Sequence, residues 1–144
     1  MTASIYAISI SARRGELKQE VAEAKIVEGF GIEGDGHGGD WDRQVTCLNW
    51  GSVVRSNAEH QLTMGPGDFA ENILIDGLDV LQLRPGDRFR LGSSAVLEVS
   101  QIGKPDHPSV VTRTFGVSLL PQEGLFCKVI QGGDIKKGDT VIKV

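Results

Sequence analysis

Short apolar runs, each closed by Gly, Pro or Asp, recur along the chain at residues 5–10, 24–27, 44–48, 72–75, 88–91, 96–102, 125–130 and 140–144. Runs of this length bounded by turn residues predict β-strands. Their number and spacing predict a mainly β domain, a closed β-barrel or a sandwich of about eight short strands. Arg84-Pro85-Gly86-Asp87 places Pro and Gly at the centre of a type II turn, and Lys137-Gly138-Asp139 repeats the Gly-Asp lead into a strand. One helix is predicted over residues 52–62, where Val54, Ala58 and Leu62 recur on one face and Gly65-Pro66 stops the run. A shorter helical turn is expected near residues 109–114. No low-complexity linker divides the sequence, which reads as one domain over residues 1–144.

The least strand-like stretch, Gly31-Ile32-Glu33-Gly34-Asp35-Gly36-His37-Gly38-Gly39-Asp40-Trp41-Asp42-Arg43-Gln44, interrupts this pattern. Glycines there let backbone approach a ligand, while Asp35, His37 and Arg43 supply acceptor, switchable and anion-pairing chemistry. Residues 34–39 satisfy the G-x-G-x-x-G spacing, but a β-prone run follows where a dinucleotide site needs a helix N-terminus. A Rossmann site is therefore excluded, and the absence of a following Gly-Lys-Ser/Thr excludes a phosphate loop.

Composition narrows the function classes. The 144 residues carry 15 Lys and Arg against 19 Asp and Glu, with 40% hydrophobic residues and 19 glycines. A net charge of −4 argues against a nucleic-acid surface, while a local Arg and Lys pocket for a small anion stays open. Cys47 and Cys127 form no metal-ligand spacing, and strand alternation puts both in the core. The N-terminal apolar run is too short for a membrane span and lacks a basic leader, so a cytoplasmic, membrane-free protein is expected.

Two further segments join the glycine loop as candidate site elements. Residues 66–73 carry Glu71 and Asn72, and residues 101–108 carry Lys104, Asp106 and His107. Asp35 with His37 reads either as a ligand-orienting or proton-transfer pair, or as an Asx-type turn with a solvent-facing imidazole. Arg43 reads as an anion clamp or as the partner of Asp40 or Asp42. Glu71 and Asn72 could bond a planar heterocycle or form a network where the strand begins. A metal site from Asp35, His37, Asp106 and His107 is conceivable, although no H-x-H or H-x-x-x-H spacing supports it.

In order, the blocks Gly31–Val45, Gly67–Ile73, Leu83–Gly92, Gln101–Pro105, Glu123–Phe126 and Gly132–Asp139 resemble the MOSC domain family, named for the C-terminal part of molybdenum-cofactor sulfurase. The resemblance implies a closed β-barrel that binds a molybdopterin-type cofactor, in a stand-alone member without the fused pyridoxal-phosphate enzyme. A pyridoxal-phosphate-dependent sulfurase or a molybdoenzyme is the implied partner. On this reading Gly34, Asp35, His37, Arg43, Glu71, Asn72 and Lys104 hold the cofactor at the barrel mouth, and Asp106 with His107 faces the reacting end. The family places a sulfur-carrying or metal-ligating cysteine where this chain has Asp106. A carboxylate has no sulfur to form a persulfide, so sulfur transfer there is excluded, while Asp106 could still ligate a hard metal. Two alternatives remain: a non-catalytic binding module for another anion or a partner protein, and a metal-assisted hydrolase using Asp35, His37 and His107.

Overall fold

The structure, a computed structural model, describes residues 3–79, 82–106 and 108–144. His107 thus lies outside the described residues. The strands are β1 (Ala3–Ile10), β2 (Gln19–Val21), β3 (Glu23–Val27), β4 (Gly31–Ile32), β5 (Val45–Asn49), β6 (Ile73–Asp76), β7 (Arg88–Leu91), β8 (Ala95–Ile102), β9 (Leu125–Gln131), β10 (Gly133–Lys136) and β11 (Thr140–Lys143), of which the short β2, β4 and β10 lie outside the eight expected runs. Three short helices accompany them: α1 (Trp50–His60), α2 (Val110–Phe115) and α3 (Leu120–Glu123).

Strands β11, β7, β8, β9, β5, β6 and β1 pair in that order, and β11 pairs back onto β1, closing a seven-strand barrel. The first residues of β1 pair with β11 and its last pair with β2, which extends the sheet beyond the ring. All these pairings are antiparallel except β5 with β6, whose connection runs through α1. A separate sheet, β10-β3-β4, adds Ile26, Ile32 and Ile135 to the barrel interior.

Strand alternation sorts the side chains into two apolar layers. Val45 and Cys47 of β5, Ile73 and Ile75 of β6, and Leu125, Cys127 and Val129 of β9 fill the interior. Their neighbours Leu48, Leu74 and Phe126 point outward and pack with Val53 of α1, Val111 of α2 and Leu120 of α3. A register shift between Ile5 and Ala7 in β1 lets Ile5 and Ile8 both face inward while Ala7 joins the outer layer. Both cysteines are fully buried in the interior.

Two expectations need correction. The helix starts two residues earlier than predicted and ends at His60, with Gln61 left-handed at its C-cap. Its buried face is Ser52, Val53 and Ser56, whereas Val54 is 50% exposed and Ala58 faces solvent. The outer layer receives α1 through Trp50 and Val53, and Ser52 with Arg55 bonds Glu123 at the end of α3. Those polar bonds fix the helix's rotation, so the four-residue apolar spacing of Val54, Ala58 and Leu62 does not. The four-residue α3 has no periodicity to announce it, and its start is marked only by Pro121 in the first turn.

Candidate functional site

A cavity of about 290 Å³ lies against the outer face of the barrel wall, where Thr46 of β5 and Phe126 of β9 point away from the interior. The interior is filled by apolar side chains, so the cavity forms outside it, between the outward positions of β5 and β9 and the loops around them. The glycine loop contributes His37, Trp41 and Arg43, the segment after β8 contributes Lys104, and α2 contributes Arg113.

Cations converge here without carboxylates. Arg43, Lys104 and Arg113 line the cavity, and no Asp or Glu does among the described residues. The Arg43 guanidinium sits 5.0 Å from the Phe126 ring centroid. It makes no ion pair with Asp40 or Asp42, and Asp42 instead meets Lys128 at 3.4 Å. Burial pushes the Lys104 ammonium pKa down, with the nearby Arg43 charge adding to the effect and Asp106 opposing it. Two half-buried cations this close favour a bound anion.

Beneath His37 is a buried polar cluster. Asp35 Oδ1 accepts from Lys18 Nζ at 2.7 Å and from the Ser11 backbone N–H at 3.1 Å. Both side chains of this ion pair are fully buried. Asp35 Oδ2 accepts from the His37 N–H at 3.2 Å, the bond of an Asx turn. The imidazole nevertheless does not face bulk solvent alone: it lines the cavity and stacks on Trp41 with centroids 6.1 Å apart. Gly36 lets the loop sit against the strand end, since a Cβ there would meet the Arg13 backbone at 2.6 Å.

Glu71 and Asn72 are placed differently. The fully buried Glu71 carboxylate accepts from the backbone N–H groups of Gly67 and Phe69 at 2.8 and 3.1 Å. Asn72 accepts from the Thr46 N–H and donates to the Ser9 carbonyl, tying β5 to β1. Both therefore hold the scaffold around the cavity: the Glu71 oxygens are taken by backbone, and the Asn72 side chain bonds backbone and also the Asp35 carboxylate. Burial pushes the Glu71 pKa up to about 7 against those backbone donors.

Gly34 is exposed on the loop. Asp106 is also exposed and faces a separate groove with His60 and Thr112. Among the described residues no group of three or more His, Cys, Asp or Glu is arranged for a metal ion, and the Asp35 carboxylate already holds an ammonium. The sequence alone does not single out Lys18, Ser11 or Arg113, and it shows Trp41 only as a member of the glycine loop. Lys18 lies between charged Glu16 and Glu20, which hides its burial.

A family model of the MOSC domain matches residues 33–142, the stretch that holds the cavity's cations, six of the seven barrel strands and the helices. The chain belongs to the MOSC domain family. Among solved structures this MOSC domain is similar to the YuaD protein from Bacillus subtilis, with a TM-score of 0.79 and 20% identity over 98% of this chain and 94% of that one. It is similar to YiiM from Geobacillus stearothermophilus, with a TM-score of 0.77 and 21% identity over 99% of this chain and 75% of that one. YiiM from Escherichia coli matches with a TM-score of 0.70 and 24% identity over 100% of this chain and 70% of that one. These likenesses show a shared fold. No curated protein matches in sequence.

Proposed function

We propose that this MOSC domain binds an anionic, heterocyclic ligand of the molybdopterin class in the wall cavity, as a holder of the cofactor and not as a sulfur carrier. The observation that carries the reading is the convergence of Arg43, Lys104 and Arg113 on a carboxylate-free cavity, in a chain whose net charge is −4. A phosphate monoester meets guanidinium forks and an ammonium there, and the His37 and Trp41 rings line the same cavity. Bound in this way, such a cofactor would bring its own dithiolene sulfurs and metal.

The absence of an accessible thiol favours holding over sulfur transfer. On the sequence resemblance Asp106 takes the place of the family's cysteine, and Cys47 and Cys127 are sealed in the barrel interior. Contact with Cys47, and then burial, pushes the Cys127 thiol pKa well up, so Cys127 is not a ready thiolate. A binding module for a different anion uses the same cations and differs in the heterocycle.

The protein, expressed in a molybdopterin-producing host, is expected to copurify with pterin, read by fluorescence after oxidation. Arg43→Ala with Lys104→Ala is expected to lower that pterin content at least about tenfold, as for removal of two charge-assisted contacts. Absence of pterin from the parent protein, or equal content in parent and variant, would overturn the reading.

A further inference from the structure

The hydrogen bonds of one buried ammonium dictate the protonation of a group on the cavity wall. An alkylammonium offers three protons and no lone pair. Lys18 Nζ lies 3.0 Å from Ser11 Oγ, 2.7 Å from Asp35 Oδ1 and 3.2 Å from His37 Nδ1. Ser11 sends its own hydroxyl proton to the Arg13 carbonyl at 2.9 Å, so towards Lys18 it accepts. The carboxylate accepts as well. Nδ1 then takes the third proton of the ammonium, which requires its lone pair. A proton on Nδ1 would instead point at a cation. The single proton of the ring is therefore on Nε2, which has no hydrogen-bond partner among the described residues, and the ring lines the cavity.

The surroundings keep the ring uncharged. Burial disfavours the imidazolium first, and Lys18, Arg14 and Lys104 add repulsion against the single attraction of Asp35, so the His37 pKa falls to about 4. The Trp41 indole donates to the His37 carbonyl at 2.8 Å, and the Arg14 guanidinium covers the Trp41 ring at 4.0 Å. His37 and Trp41 are inclined by 13°, which gives the cavity two near-parallel aromatic planes.

We infer that His37 is a specificity-determining residue of the cavity, a neutral Nε2–H donor held in that tautomer by Lys18, Asp35 and Ser11, and that it selects ligands carrying an uncharged acceptor beside their anionic group. A ring carbonyl or ring nitrogen of a planar heterocycle is the matching acceptor. The three cations meet the charge, and His37 reads the part of the ligand that carries none. The ligand half of this inference rests on the anion-binding reading above; the tautomer half rests on the bonds of Lys18 to Ser11, Asp35 and His37.

Two measurements separate the halves. Side-chain ¹⁵N correlation spectra of the parent protein at pH 7, with His37 assigned by His37→Gln, are expected to show the neutral Nε2–H tautomer. An Nδ1–H tautomer or an imidazolium overturns the inference. Lys18→Met, where it folds, is expected to lose that signature as the ring pairs with Asp35. Binding is then compared for 6-hydroxymethylpterin monophosphate and inorganic phosphate. His37→Ala is expected to weaken the pterin phosphate about tenfold while leaving phosphate unchanged, and His37→Gln, which keeps a donor, to restore most of the loss. Unchanged pterin affinity in His37→Ala, or equal losses for both probes, overturns the ligand half. If neither probe binds the parent protein, the anion-binding reading and the ligand half fail together, and the spectra still decide the tautomer.

Discussion

Lys18 shows what a fully buried charge demands of its neighbours. Its partners are all acceptors, and removing one leaves an ammonium short of a bond in a place water does not reach. Asp35→Ala is expected to destabilise the protein by about 3–5 kcal/mol, the usual result of stranding one partner of a buried pair, measured by urea unfolding. A loss under about 1 kcal/mol would mean the site relaxes or hydrates. At this scale the sequence was legible where a residue's neighbours constrain it. Asp35, His37, Arg43 and Lys104 sit in glycine-marked loops, and the structure brings them to one cavity or directly under it. Lys18 was illegible because burial of a lysine is decided by residues distant in sequence, here Asp35, 17 positions away, and the backbone turn at Gly67, farther still. Glu71 and Asn72 looked like ligand groups because their chemistry suits a heterocycle. Their bonds to backbone follow from register, which composition does not encode.

Elements were read well wherever one face meets one environment. The strand runs matched because the barrel interior enforces period two, and the Arg84–Asp87 turn matched because Gly86 adopts a φ of +95° with the Asp87 N–H bonded to the Arg84 carbonyl at 3.0 Å. Helix α1 was misread in its facing because two of its buried positions are serines, so its apolar residues do not mark its inner face. The turn before β6 carries a sharper constraint. Gly67 has a φ of +85°, and a Cβ there would approach the Lys18 carbonyl to 2.0 Å. Gly67→Ala is expected to cost more than about 1 kcal/mol, beyond the gain from a stiffer unfolded chain, and to loosen the Lys18 backbone, read as faster amide exchange at Ser11 and Asp35. Strands β5 and β9 make a second expectation. Cys47 and Cys127 should resist a thiol reagent in the native protein and both react once it is unfolded. Labelling of either at the native rate of an exposed thiol would contradict their interior placement.

Across the whole molecule two buried groups pull stability in opposite directions with pH. Glu71 has its folded pKa raised from 4.5 to about 7, so its contribution is present below 4.5 and is lost as pH rises through 7. His37 has its folded pKa lowered from 6.5 to about 4, so its contribution is present above 6.5 and is lost as pH falls through 4. The windows overlap, and the parent protein is expected to show a shallow stability profile between them. Glu71→Gln should unmask stability that rises with pH over this range, and His37→Gln stability that falls by on the order of 3 kcal/mol, both by urea unfolding. Matching slopes in the two variants would refute the opposition. The placement of the cavity on the barrel wall has a consequence for how this sequence tolerates change. In β5 and β9 the interior and the cavity share one ribbon of chain, with positions 45, 47, 125 and 127 serving the first, 46 lining the second, and Phe126 both lining the cavity and packing in the outer apolar layer. A saturation scan of these strands should therefore separate positions 45, 47, 125 and 127, scored by abundance, from position 46, scored by occupancy, with position 126 answering to both, so that two selective pressures are interleaved along a single thread and meet at one side chain.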